Sequence, residues 1–222
     1  MSDLRVEAVI FDLDGTLIDS KDVMRAAYMQ AYAEVVGDSQ PPPFSEYRKH
    51  LGRSFPEIMR RMGLPLDMQP VFVRESIRQM HRIALFDGVR SMLEQLSRRG
   101  IPMAIATGKD HARTCQILEH LGLSQYFAMV VGSDDVKHPK PAPDMALRIA
   151  EALDLDAAET LFVGDAVSDL ECGRSAGMRV ALATWDDPER EARAFAGAVH
   201  LAHPHDLLSH LRLKERADTS VD

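Results

Sequence analysis

Hydrophobic and polar positions divide this chain into two differently patterned parts. In the first part, apolar side chains recur at helical spacing over residues 22–36, 44–51, 55–62 and 71–83, which predicts four helices. Glycines and a run of three prolines separate these segments and are typical helix ends and breaks. We therefore expect a helical block that reaches to about residue 85 and contains no strand.

In the rest of the chain, short apolar runs alternate with helical patterns. The runs predict strands at residues 7–11, 101–106, 129–131, 160–163 and 179–183. The segments between and beside them predict helices at residues 89–99, 111–121, 143–153 and 169–176. Strands and helices that alternate at this length form a parallel sheet with helices on both faces, so the fold class is α/β.

The order of these segments also predicts the domain organisation. Residues 1–19 and 86–213 would form the α/β core, and residues 20–85 would form an inserted helical domain. The last residues, 214–222, are polar, and we expect them to be a frayed tail.

Composition narrows the class of function and the compartment. The 222 residues carry a formal net charge of -8, which argues against a general nucleic-acid binder. Two cysteines, Cys115 and Cys172, do not make a disulfide framework and favour a reducing compartment. Residues 1–6 are charged and no run of about 20 apolar residues occurs. We expect a soluble, cytoplasmic protein with no membrane partner.

The most informative residues are two carboxylates at the end of the first predicted strand. Asp12 and Asp14 directly follow an apolar run, and Gly15 comes next. Because an unpaired buried charge costs several kcal/mol, the two acids should lie at the carboxyl end of the strand, where open α/β sheets place their sites. Such a pair can share a divalent metal or divide the roles of nucleophile and acid. An acidic turn or a calcium-type loop is the alternative.

Three further segments carry suitable chemistry near strand ends. Thr107 and Gly108 could bind a phosphate oxygen through a hydroxyl and backbone N–H groups, or could simply begin the next helix. Lys140, in a proline-rich segment, could neutralise a phosphate or remain a solvated loop lysine. Asp165 and Asp169 could complete a magnesium site or only cap backbone amides.

Taken in chain order, these segments resemble the four motifs of the haloacid dehalogenase superfamily of phosphatases. Asp-Leu-Asp-Gly-Thr at residues 12–16 looks like the first motif, and residues 140–144 and 164–169 are similar to the third and fourth. The resemblance spans roughly residues 8–183 and implies a Rossmann-like core with a small helical cap. Gly108 stands where the second motif commonly has asparagine, and Ala166 stands where the fourth often has serine.

The resemblance implies a role for each motif residue. Asp12 would attack phosphorus and become an aspartyl phosphate, while Asp14 would protonate the leaving oxygen and later take a proton from water. Lys140 would be catalytic, and Thr107 and Gly108 would bind the phosphoryl group.

The implied cofactor is Mg²⁺. Its ligands would be the Asp12 carboxylate, the Asp14 main-chain carbonyl and Asp165, with Asp169 in support.

The inserted domain resembles the cap of phosphoglycolate phosphatase-like members. Its expected substrate contacts are His50 and Arg53, although an arginine of this kind is also often solvated or structural. Residues 50–53, 58–66 and 72–76 look like the cap of phosphatases associated with 3-amino-5-hydroxybenzoate biosynthesis. That likeness implies dephosphorylation in an aminosugar-derived precursor pathway.

Four histidines near the end of the chain form another noticeable cluster: His200, His203, His205 and His210. They could bind zinc, but they follow the last predicted strand, lie away from the acids and have no cysteine beside them. We do not expect a metal there.

The function predicted from these residues is a Mg²⁺-dependent phosphomonoesterase acting on a small phosphorylated metabolite, as a monomer or homodimer. A β-phosphoglucomutase-like phosphotransferase is the nearest alternative, and a non-catalytic binding module on the same scaffold is another. The residues do not distinguish phosphoglycolate-like substrates from aminosugar phosphates.

Overall fold

A six-stranded parallel sheet forms the centre of the protein in a computed structural model that describes residues 4–37, 39–187 and 198–212. From one edge to the other the strands are β6 (Met129–Val131), β5 (Met103–Ala106), β2 (Ala8–Phe11), β7 (Thr160–Gly164), β8 (Arg179–Ala183) and β9 (Val199–Leu201). The expected α/β class is confirmed.

Strand β2 lies in the middle of this sheet because it is apolar throughout and can be buried on both faces. All four of its residues are buried. Phe11 pairs with Ile105 on one neighbour and with Val163 on the other. From β2 the chain first builds the sheet on one side, through β5 and β6, and then on the other, through β7, β8 and β9. This change of direction creates a crevice at the carboxyl ends of β2, β5 and β7.

Helices cover both faces of the sheet, as the alternating pattern predicts. They are α5 (Val89–Arg98), α6 (His111–His120), α7 (Asp144–Leu153), α8 (Val167–Ser175) and the short α9 (Asp206–His210). Alternate residues of each strand pack into two apolar layers. Phe11 belongs to the layer that contains Leu93, and Ile10 belongs to the layer that contains Ile149.

The insert contains the helices α1 (Lys21–Val35), α2 (Phe44–Arg48), α3 (Phe55–Met62) and α4 (Met68–Arg78). They enclose an apolar cluster of their own, in which the ring centres of Tyr28 and Tyr47 lie 5.4 Å apart and those of Phe55 and Phe72 lie 4.7 Å apart. A separate cluster favours a unit that can keep its structure while it moves. The domain boundaries drawn from the sequence stay a prediction.

Two short strands join the insert to the core. Strand β3 (Ile18–Asp19) pairs antiparallel with β4 (Ala84–Leu85). The expectation that the helical block up to about residue 85 contains no strand is therefore wrong for its last two residues, Ala84 and Leu85. This pair stands apart from the main sheet and holds the two connections side by side.

Other element boundaries also differ from the sequence pattern. The helix expected at residues 71–83 begins earlier, at Met68, and ends at Arg78, followed by a 3₁₀ turn at Met80–Arg82. Strand β9 was not predicted, and neither was the parallel pair of β1 (Leu4–Arg5) with β10 (Leu211–Arg212). The expected tail at 214–222 lies outside the described residues. Within them, every helix is too short or too polar to cross a bilayer.

Candidate active site

The first acidic segment lies where strand β2 leaves the sheet. The backbone N–H of Asp12 donates to the carbonyl of Val163 at 2.9 Å, so the strand geometry still fixes this residue. The chain then turns at Gly15, whose φ is 83°. A Cβ at this position would collide with the carboxylate of Asp165. Glycine is therefore required at position 15 for two reasons, the positive φ of its backbone and its close approach to Asp165.

Lys140 is the cation at the centre of the site. Its Nζ donates to Oδ1 of Asp12 and Oδ1 of Asp169, each at 2.6 Å, and to the carbonyl of Ala106 at 2.9 Å. The side chain is fully buried. Burial alone would lower the pKa of Lys140, but the charges of Asp12 and Asp169 raise it above its ordinary value. Lys140 thus remains charged and uses its three protons on fixed partners.

Three carboxylates converge beside this lysine. Oxygens of Asp12, Asp165 and Asp169 lie within 4.8 Å of one another, and all three residues are buried. Burial raises the pKa of Asp12 well above its usual value, the charges of Asp169 and Asp165 raise it further, and Lys140 only partly opposes them. The cluster has more negative charge than Lys140 can balance. An all-oxygen donor set with this excess fits a hard divalent cation.

Asp169 serves the site from the first turn of α8. Its Oδ2 accepts the N–H of Ala166 at 2.9 Å while Oδ1 binds Lys140. Both carboxylate oxygens of Asp169 therefore already have a partner. This fits the supporting role at the metal site that the resemblance implies.

Asp14 lies in the same cavity as Asp12 but has different partners. One oxygen accepts from Ser20, and the other lies 3.0 Å from Nζ of Lys109. Burial alone would raise the pKa of Asp14, but Lys109, Ser20 and Arg113 together lower it. Its carboxylate is outside the three-acid cluster, so any metal contact would have to use the main chain.

The end of strand β5 contributes Thr107 and Gly108. Thr107 is buried, and its hydroxyl accepts the N–H of Lys109 at 3.3 Å. At Gly108 a Cβ would collide with the carbonyl oxygen of Arg53, which belongs to the helical insert, from here on called the cap. The departure from asparagine therefore has a physical reason, because the cap backbone occupies the space that a side chain would need.

The two cap residues expected to contact substrate lie in neighbouring cavities. Arg53 lines the cavity that contains Asp12, Asp14 and Thr107. His50 lines a second cavity together with Asp165, and Arg53 lines this one as well. Burial and the nearby Arg61 and Arg53 lower the pKa of His50.

Several side chains that sequence reasoning left without a role surround Asp14. Lys109 and Arg113 are buried around it, and Ser20 donates to it. Lys109 directly follows Thr107 and Gly108, and Arg113 lies four positions further on, in the first turn of α6. Two cations so close to the second motif were the available signal, but the sequence does not reveal that the cap covers them.

The histidine cluster does not assemble a site in the part of the chain that the structure describes. His200 lies within strand β9, so the expectation that all four histidines follow the last strand is wrong. His205 contacts Ser91 at 3.2 Å. The side chain of His210 lies outside the described residues. Among those described, the acidic cluster is the one group of metal-ligating side chains close enough to hold an ion.

Comparison with known proteins agrees with this geometry. Residues 9–183 match the family described as haloacid dehalogenase-like hydrolase. A probable phosphatase, IndB of Dickeya dadantii, is 35% identical over 194 residues, covering 80% of each chain. A plasmid-encoded phosphoglycolate phosphatase of Cupriavidus necator is 32% identical over 188 residues, covering 79% of each chain.

A solved structure is similar over nearly the whole chain. The crystal structure of a hydrolase from Pseudomonas syringae superimposes with a TM-score of 0.80 at 26% identity, covering 92% of this chain and 97% of the other. The family match spans most of the chain and includes all four motif segments, which carry the acids, the hydroxyl and the lysine of the site. This chain belongs to the haloacid dehalogenase-like hydrolases and is an enzyme of their phosphatase type.

Proposed function

We propose that the protein is a Mg²⁺-dependent phosphomonoesterase that works through an aspartyl-phosphate intermediate. The observation that carries this proposal is the position of Lys140, whose Nζ lies 2.6 Å from both Asp12 and Asp169. The lysine fixes one carboxylate oxygen of Asp12 while the other remains for attack or metal binding. A buried lysine placed in this way also offsets the charge of an incoming phosphoryl group.

The proposed reaction has two displacements at phosphorus. In the first, an Asp12 oxygen forms a bond to phosphorus, the ester P–O bond breaks, and Asp14 gives its proton to the leaving oxygen. Asp14 must take up that proton before this step, although Lys109 and Ser20 favour its charged form. In the second, Asp14 takes a proton from a water molecule whose oxygen attacks phosphorus, and the Asp12–phosphorus bond breaks. Inorganic phosphate leaves and both carboxylates return to their starting state.

The residues that would hold Mg²⁺ are Asp12, Asp165 and the main-chain carbonyl of Asp14, with Asp169 in support. When bound, the ion neutralises charge on the transferred phosphoryl group. Thr107 and Gly108, at the end of β5, would hold the phosphoryl oxygens through the hydroxyl and the backbone N–H.

The substrate we propose is a small organic phosphomonoester, either phosphoglycolate-like or an aminosugar phosphate, the latter in 3-amino-5-hydroxybenzoate biosynthesis. The relatives named as phosphatases support the reaction class. Two free cysteines, Cys115 and Cys172, agree with a reducing compartment and so with the cytoplasmic location expected from the sequence.

Turnover of p-nitrophenyl phosphate tests the proposed chemistry. Removal of metal with EDTA should reduce the rate by at least about a hundredfold, and added Mg²⁺ should restore it. Rapid acid quenching followed by mass spectrometry should detect a phosphate adduct on the peptide that contains Asp12. Full activity in EDTA would exclude the metal, and a phosphate adduct on another peptide would exclude Asp12 as nucleophile.

A further inference from the structure

Arg113 is a buried cation with unused hydrogen-bonding capacity. The residue is 6% exposed and lies on α6, under the cap. Its Nε lies 3.1 Å from Oδ2 of Asp110, and its guanidinium carbon lies 5.5 Å from the centre of the Phe72 ring. Among the described residues, neither its buried Nε, which is only ion-paired, nor its buried Nη1 makes a hydrogen bond. A buried donor without an acceptor lowers the stability of the fold.

Two neighbours restrain the guanidinium of Arg113. Asp110 is its ion-pair partner, and the cap ring of Phe72 covers one face. Arg113 also lines the cavity that contains Asp12, Asp14 and Thr107. A restrained guanidinium can donate to a carboxylate or phosphate with little further loss of side-chain entropy.

Two groups of cations serve opposite sides of the reacting phosphate. Lys140 binds Asp12, the proposed nucleophile. Lys109 binds Asp14, the proposed acid, and Arg113 acts electrostatically on Asp14 as well. Since Asp14 would protonate the leaving oxygen, Arg113 lies on the leaving-group side of the phosphorus. It is therefore placed to contact the part of the substrate that is released.

The cavity also limits the size of that part. Tyr47, Phe55 and Phe72 form its cap wall, and Arg53 adds a further positive charge. The cavity volume is about 40 Å³, and the cavity is partly open to solvent. A short leaving group needs less additional room there than a sugar does, and a leaving group with an ammonium would be repelled by Arg113, Lys109 and Arg53.

We propose that Arg113 binds a second anionic group of the substrate, so that the enzyme acts on small phosphorylated acids. A carboxylate or a second phosphate close to the ester oxygen would accept a hydrogen bond that the guanidinium otherwise lacks. This inference rests on the proposed phosphatase function and selects the anionic substrate class over aminosugar phosphates.

A series of two-carbon phosphate esters tests the inference, because its members differ mainly in charge. The members are phosphoglycolate, 2-hydroxyethyl phosphate, phosphoethanolamine and ethylene glycol bisphosphate. The kcat/KM for an anionic member should exceed that for 2-hydroxyethyl phosphate by about 10- to 100-fold, as one charged hydrogen-bonded pair allows. Phosphoethanolamine should be no better than the neutral ester. The order of phosphoglycolate and the bisphosphate identifies the anion as carboxylate or phosphate.

Arg113→Met keeps the length of the side chain and removes its charge. It should bring the kcat/KM values of the anionic and neutral esters to within about threefold of each other, and because this ratio is measured within one variant, a general change in turnover cancels from it. Arg113→Lys should restore part of the preference. Arg98→Met is the matched control, because Arg98 is an exposed arginine on α5 paired with Glu94. Circular dichroism checks folding, and the wild-type series and Arg113→Lys still decide if Arg113→Met does not fold.

The outcomes separate the two proposals. Equal turnover of all four esters by the wild type, or a persistent anionic preference in Arg113→Met, would overturn the role of Arg113 while the phosphatase proposal stands. Lack of Mg²⁺-dependent turnover of every ester, including p-nitrophenyl phosphate, would overturn the phosphatase proposal itself.

Discussion

Asp12 is subject to opposite demands from folding and from catalysis. Burial beside Asp165 and Asp169 raises its pKa, so its charge is unfavourable in the metal-free protein, yet the proposed reaction requires that charge. Asp12→Asn should therefore reduce p-nitrophenyl phosphate turnover by at least about a thousandfold. In EDTA the same variant should unfold at a higher temperature than the wild type.

Steady-state kinetics and differential scanning calorimetry measure the two effects. Asp22→Asn is the control, since Asp22 is an exposed acid on α1, and it should change neither quantity. Near-normal turnover by pure Asp12→Asn protein would show that the nucleophile has been assigned to the wrong residue.

The neighbouring acid should behave in the opposite way on stability. Lys109 and Ser20 lower the pKa of Asp14, so its charge stabilises the fold above the pKa of the unfolded chain and is lost as pH falls through the lower folded value. Asp14→Asn leaves Lys109 buried without its partner, which costs on the order of 3 kcal/mol. We expect a lower unfolding temperature and a turnover loss of at least about a hundredfold.

Metal titration by calorimetry completes the test of Asp14. Because the main-chain carbonyl is unchanged in Asp14→Asn, Mg²⁺ should still bind. Loss of Mg²⁺ binding with intact turnover would reverse the division of roles between the two acids.

At the scale of elements, two glycines set how closely the cap approaches the core. Gly108 lies against the carbonyl of Arg53, and Gly52 lies against the hydroxyl of Ser168. Gly108→Asn introduces the residue commoner in this family and forces the cap loop away from Thr107. We expect kcat to fall by about tenfold or more while the unfolding temperature changes little, because the loop can retreat without unfolding.

Gly63→Asn is the matched control for this prediction. Gly63 is also in the cap, has open space around its Cβ position and adopts a left-handed conformation that asparagine tolerates. Its kinetics should remain normal. Unchanged kinetics in Gly108→Asn would mean that the close approach of the cap loop is not needed for turnover.

The sequence predicts those elements whose pattern is local. Strand β2 was predictable because an apolar run ends abruptly at Asp12, and an unpaired charge within a buried strand would be too costly. The β3 and β4 pair was not, because two residues are too few for any periodicity and the pairing joins positions far apart in the chain. Arg113 was missed for a similar reason, since its burial depends on Phe72 of the cap.

At the scale of the whole molecule, the cap covers the site closely. Ser168 of the core donates to the carbonyl of Leu51 in the cap at 3.5 Å, and Arg48 of the cap lies 3.7 Å from Asp187 of the core. The cavity beneath, about 40 Å³, has room for only a few water molecules. An organic phosphate needs more room than this beside Asp12, so we expect these contacts to open and close in every turnover.

A disulfide between the cap and the core tests this motion directly. We expect Leu51→Cys combined with Ser168→Cys to form one on oxidation, because the hydroxyl of Ser168 already approaches the Leu51 carbonyl. The oxidised protein should lose roughly nine-tenths of its p-nitrophenyl phosphate turnover, since opening is part of each cycle, and a reducing agent should restore it. Each single cysteine variant should remain active under both conditions, which controls for oxidation of the native Cys115 and Cys172. If the cross-linked protein, verified by mass spectrometry, turned over at the full rate, substrate would have to reach Asp12 without separation of the cap loop from the start of α8.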